Sequence, residues 1–243
     1  MPSILRIGLP VVGICILVAG TTYLVRAFDS RSMPALAAEH RIRFSSEFAA
    51  DDETAVDWAG YLAIEEALAR ELADRIDGVR AAGNQLDRHW PDSTTYPPAI
   101  GGNWNRSYQL SSVAPRGTAV LLHGLSDSPY SMLATAQTLV GAGYDVVVPR
   151  LPGHGFAVGG LRQSRWQDWA AAVRVAVRHA MTLPGSNGSF VLAGYSNGGL
   201  LALHYALSCA DDGMPCPERL LLLSPALAVS PFAAVANWHA ALS

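Results

Sequence analysis

An apolar run, Phe190 to Ala193, drives directly into Gly194-Tyr195-Ser196-Asn197-Gly198 and then into a helical pattern. A G-x-S-x-G segment between a strand and a helix has little freedom: the chain must reverse sharply, with the serine at the tip in strained backbone geometry. The residues two before and two after the serine must be nearly free of side chain to let strand and helix approach, and Gly194 and Gly198 supply that room. Ser196 Oγ then stands clear of the sheet edge. The following helix offers unpaired N–H groups and the positive end of its dipole at the same spot. The segment reads as a nucleophile elbow, although the five-letter pattern alone would also suit a Gly-rich turn with serine as an ordinary helix cap.

The surrounding pattern supports the elbow. Thr118 to Leu122, Tyr144 to Val148, the run before Ser196, and Leu220 to Leu223 are short apolar strands separated by helical stretches at Ser131 to Val140 and around Trp166, Trp169, Val173, Ala176 and Val177. A further strand includes Arg106 to Leu110. Buried strands alternating with helices predict a mostly parallel α/β sheet whose site lies at the carboxyl ends of the strands. The helix from Asn197 is apolar nearly all round, as suits burial behind a sheet.

Upstream the chain changes character. Ile7 to Val25 is a nineteen-residue run without a charge, bracketed by Arg6 and Arg26. As a helix it spans about 28 Å, close to the thickness of a bilayer core. It reads as a single uncleaved membrane anchor, with a cleaved signal peptide as the competing reading. Between Thr54 and Ile76, Trp58, Tyr61, Leu62, Ile64, Leu68, Leu72 and Ile76 recur at helical spacing, with Glu65, Glu66, Arg70, Glu71, Asp74 and Arg75 assigned to the polar face. The expected organisation is an anchor over 1–26, a linker and amphipathic extension over 27–100, and an α/β domain over 101–243. A net charge of −3 with scattered arginines excludes a polyanion-binding surface, so no nucleic acid is expected. Six residues separate Cys209 from Cys216, which suits either a small disulfide in an oxidising compartment or two free thiols. The domain is accordingly expected on the membrane, in a periplasmic or other extracytoplasmic setting.

Three motifs in order carry a resemblance. His123-Gly124-Leu125-Ser126-Asp127-Ser128-Pro129, Arg150-Leu151-Pro152-Gly153-His154-Gly155 and the elbow at Gly194 to Gly198 together resemble the α/β-hydrolases, in the group of monoacylglycerol lipases and related carboxylesterases. The resemblance implies Ser196 as the acylated nucleophile, the backbone N–H groups of Leu125 and Asn197 as the oxyanion hole, and cleavage of carboxylic esters, with an acyl ester or lipid as substrate. Members of that group often carry Gly where Ser126 stands. His123 and His154 are expected to tie down their loops rather than act as bases. No metal constellation appears and no cofactor is implied.

The chain departs from that pattern after the elbow. A triad needs an acid and a histidine downstream of the serine, and only 47 residues follow Ser196. If the helix persists, Asp211 lies about 22 Å away and His204 about 12 Å away, with His204 turned into packing. Asp212 and Glu218 offer no better partner, and His239 is the one histidine able to fold back. The last strands therefore read as missing, leaving the N-terminal two-thirds of a hydrolase with Leu220 to Leu223 as an apolar edge. A catalytically inactive, membrane-anchored binding module of the same fold is the alternative function, and acyl transfer from the same serine is a third.

Overall fold

The computed structural model describes residues 2–31, 41–76, 91–93, 96–97 and 102–228. The chain divides into two units, one containing the N-terminal helix and the other spanning Ala37–Val229. Helix α1 covers Pro2–Arg31. Within it Pro10–Phe28 is long and apolar enough to cross a membrane, with a mean hydropathy of 1.9. Its length and composition suit a membrane anchor and a signal sequence alike.

In the larger unit the strands fall where apolar runs predict them: β1 Tyr108–Leu110, β2 Gly117–Leu122, β3 Tyr144–Val148, β4 Ser189–Tyr195 and β5 Arg219–Leu223. Their order is β1-β3-β2-β4-β5, with β1 antiparallel and the rest parallel. Because side chains alternate along a strand, each central strand feeds two cores. Val120, Leu122, Val147, Phe190 and Leu192 pack on one face against helices α4 (Trp166–Ala180) and α5 (Asn197–Ser208). Ala119, Leu121, Val146, Val148, Val191 and Ala193 pack on the other with α3 (Leu133–Gly141) and the preceding Met132. Burial of both faces is what a parallel sheet requires.

The described part of the N-terminal extension from residue 41 belongs to the same unit as the sheet. Helix α2 (Trp58–Ile76) buries Trp58, Tyr61, Glu65, Leu68, Leu72 and Ile76. Glu65 is thus on the packed face, not the polar one, and Leu62 is exposed. Residues 41–57 form a strap along the strand-end loop and α4, tied at every third residue. The Phe44 backbone exchanges hydrogen bonds with the Gln163 amide. Glu47 takes Arg150 and Gly153, Ala50 N–H donates to Asp168, and Glu53 takes Arg174 and Arg178.

Helix α5 departs from the expectation of burial all round. Leu201, Ala202 and Tyr205 are buried against the sheet and α4, while Leu200 and Leu207 are exposed on the opposite flank. Strand β5 is the edge of the described sheet, with Leu220, Leu221 and Leu223 exposed. Beyond α5, Cys209 and Cys216 form a disulfide, with Cα atoms 5.4 Å apart, which resolves the choice that spacing left open.

Candidate active site

Ser196 caps α5 with φ 52° and ψ −114°, a conformation that ordinary residues avoid. The close approach around it explains both glycines. A Cβ at Gly194 would lie 2.2 Å from Gly198 O, and one at Gly198 would lie 2.2 Å from Leu122 O and 2.5 Å from His123 O. The strained serine is held from both sides: its N–H donates to Leu223 C=O at 2.9 Å, and its own C=O accepts from Ala226 N–H at 3.0 Å. The end of β5 therefore clamps the turn.

The loop after β2 reaches the same point. A Cβ at Gly124 would lie only 3.5 Å from Ser196 Cβ, so this backbone passes directly beside the serine. Gly124 C=O accepts from Asp127 N–H, closing a four-residue turn in which Ser126 takes φ 57°. That third position favours glycine; here serine occupies it, with Oγ donating to Leu125 C=O at 2.7 Å. Leu125 N–H has no hydrogen-bond partner among the described residues, and Asn197 N–H belongs to the first, unpaired turn of α5. Both amides belong to segments that meet at Ser196: Leu125 follows the Gly124 that passes beside it, and Asn197 follows the serine itself.

The fully buried His123 has both ring nitrogens engaged. Leu151 N–H donates to Nε2 at 3.0 Å, which leaves the proton on Nδ1 to donate to Gly124 C=O at 2.9 Å. Burial, with His154 next in effect, pushes its pKa down to about 3, so the ring is neutral and structural. His154 is also buried, with Nδ1 on Pro152 C=O and its ring edge-on to His123 and Trp169; burial lowers its pKa. Arg150, at the start of this loop, is fully buried, forked onto Glu47 and 3.4 Å from Glu65 through Nε. Burial raises the Glu65 pKa above the usual carboxylate range, against the pull of Arg150 and a Ser107 hydrogen bond. Glu47 holds the fork of the guanidinium, so Glu65 has the weaker contact and the greater desolvation.

No side chain among the described residues hydrogen-bonds to Ser196 Oγ. His204 is exposed rather than packed inward, with its ring 5.3 Å from Trp166. His179 pairs with Gln109 and stacks on Trp58. Asp211 and Asp212 are exposed beyond the far end of α5. Glu218 precedes β5 opposite Phe190, at the end of the sheet away from the elbow. His239 lies outside the described residues. The described residues include no cluster of His, Cys, Asp or Glu able to hold a metal.

A mostly parallel sheet flanked by helices, with a strained serine at the end of a central strand and free amides beside it, defines an α/β-hydrolase. The chain matches, over residues 113–243, the family described as Serine aminopeptidase, S33 (Hydrolase_4), and belongs to it. A thermostable monoacylglycerol lipase of Bacillus sp. (strain H-257) is 33% identical over 109 residues, covering 45% of this chain and 42% of that protein. Among solved structures, one reported for the metagenome-derived lipolytic enzymes LipS and LipT is 28% identical with a TM-score of 0.45, over 54% of this chain and 51% of that one. The monoacylglycerol lipase of Paleococcus ferrophilus is 26% identical with a TM-score of 0.41, over 55% and 50%. The chain thus spans less than half the length of the curated relative it matches.

Proposed function

We propose that the protein is a serine hydrolase that cleaves carboxylic esters through an acyl-Ser196 intermediate. The observation that carries this reading is the strained Ser196 at the strand end, flanked by the unpaired Leu125 and Asn197 amides. Ser196 Oγ attacks the ester carbonyl and gives its proton to a base; the carbonyl oxygen, now negative, takes the two N–H donors. Collapse expels the protonated alcohol, and water then repeats the sequence to release the acid. The base is assigned to His239, because the family's order puts the histidine after the serine, and the other histidine that follows Ser196, His204, lies along α5 with its ring against Trp166. The 33% identity to a monoacylglycerol lipase supports an acyl glycerol or similar lipid ester as the substrate class.

The Pro10–Phe28 helix supports attachment to a membrane, and the Cys209–Cys216 disulfide supports an extracytoplasmic, oxidising setting for the domain. The rival reading, a non-catalytic binding module, is favoured by one observation: no described side chain engages Ser196 Oγ. Labelling the purified chain with a fluorophosphonate, read by intact mass, separates the two. Stoichiometric labelling that Ser196→Ala abolishes and His239→Ala suppresses is the expected result. A folded sample that stays unmodified would sink the hydrolase reading and leave the binding module.

A further inference from the structure

The strap lies outside the stretch matched to the family, yet its contacts lead to the backbone beside Ser196. Glu47 Oε2 accepts from Gly153 N–H at 2.9 Å and from Arg150 Nη1 at 3.0 Å, while Oε1 accepts from Arg150 Nη2 at 2.8 Å. Arg150 Nη1 also donates to His154 C=O, so one carboxylate and one guanidinium hold the loop at both ends. Leu151, inside that loop, donates its N–H to His123 Nε2, and His123 Nδ1–H donates to Gly124 C=O. That carbonyl and Leu125 N–H belong to one planar trans peptide, so fixing the direction of the first fixes the direction of the second.

We propose that Glu47 is a positioning residue for the reaction at Ser196, setting through Arg150, Leu151 and His123 the direction in which Leu125 N–H points. The inference rests on the reading of Leu125 N–H as an oxyanion donor. Arg150 and His123 are both fully buried, so the links between strap and peptide are held by packing as well as by hydrogen bonds. Loss of one such donor costs about 10²–10³ in rate, so tilting its peptide costs about tenfold or more. A strap that merely adds stability would act equally through any of its anchors. Glu53 provides that comparison, because its carboxylate pairs with Arg174 and Arg178 on α4 and makes no hydrogen bond or ion pair to the 150–154 loop.

The experiment uses the full chain in detergent micelles as the parent, E47A, E47Q and E53A. It reads the rate constant of fluorophosphonate labelling together with local amide exchange by mass spectrometry. E47A is expected to slow labelling about tenfold or more and to raise exchange in peptides covering 121–126 and 149–155, while E53A labels at the parental rate. E47Q keeps one carbonyl acceptor, is expected to fall between, and serves where E47A does not fold. Equal slowing by E47A and E53A, or parental rate and exchange in both E47 variants, overturns the proposal. A parent that does not label removes the nucleophile reading alone; the exchange comparison then decides the coupling, with unchanged exchange at 121–126 in E47A and E47Q counting against it.

Discussion

An Arg150→Met substitution removes the cation on which the strap, α2 and the strand-end loop converge. Methionine occupies much of the space of the aliphatic stem but leaves Glu47 and Glu65 without their shared cation, with Gly153 and Ser107 among the remaining hydrogen-bond donors and Glu65 only 1% exposed. Breaking a buried pair by deleting one member costs about 3–5 kcal/mol. In a domain of this size each kcal/mol moves the melting temperature by about 2–4 °C, so the expected drop is about 6–20 °C. The pH dependence follows from Glu65, whose folded pKa is already raised by burial and rises further without Arg150. A carboxyl with a raised folded pKa contributes its full share to stability below its unfolded value, about 4.3, and loses it as pH climbs through the folded value. The deficit of the variant is therefore smaller near pH 5 than near pH 8. Circular dichroism melts of parent and variant at both pH values measure it. A shift of less than about 2 °C near pH 8, or a deficit that grows on acidification, would refute the account of Arg150 as the hub of these contacts.

Ser196→Gly should abolish labelling yet raise stability by about 1 kcal/mol, since glycine adopts φ 52° without penalty; a melting temperature below the parent's would contradict the strain argument. Gly198→Ala should prevent correct folding, because its Cβ meets two backbone carbonyls that cannot withdraw; soluble, labelled protein would count against the close approach. Paired Cys209→Ser and Cys216→Ser changes should cost about 2.5 kcal/mol for a loop this short, read as a urea midpoint shift. Leu221→Lys on the exposed edge of β5 should raise the concentration at which the protein aggregates, measured by light scattering, with little change in melting temperature.

The sheet and the elbow were legible because they depend on local pattern. Apolar runs gave β2, β3, β4 and β5, and G-x-S-x-G implied a turn whose two glycines the backbone indeed crowds. The strap was not legible. Phe44, Glu47, Ala50 and Glu53 share no periodicity of hydrophobic character, and each finds its partner more than a hundred residues away. Glu65 departs from the pattern for the same reason: on an isolated helix an acid belongs on the wet face, and the distant Ser107 and Arg150 hold it inside. His204 was expected inward because its helix looked buried on every side, whereas the helix has an open flank on which Leu200 and Leu207 are exposed. The acid and base of a triad have no local signature after Ser196, and none is assembled among the described residues.

The strap also has a consequence in time. Glu47 leaves the ribosome well before Arg150, which follows 103 residues later, and Glu53 precedes Arg178 by 125. At about 5–20 residues per second the interval is on the order of ten seconds. Throughout it Glu47 and Glu53 lack their arginines, and the partners of the strap already synthesised are those on α2, such as Glu71 for Ser45 and Tyr61 for Phe48. The sheet must assemble as far as α4 before the strap can close over it, so the first part of this domain to be synthesised is among the last to dock.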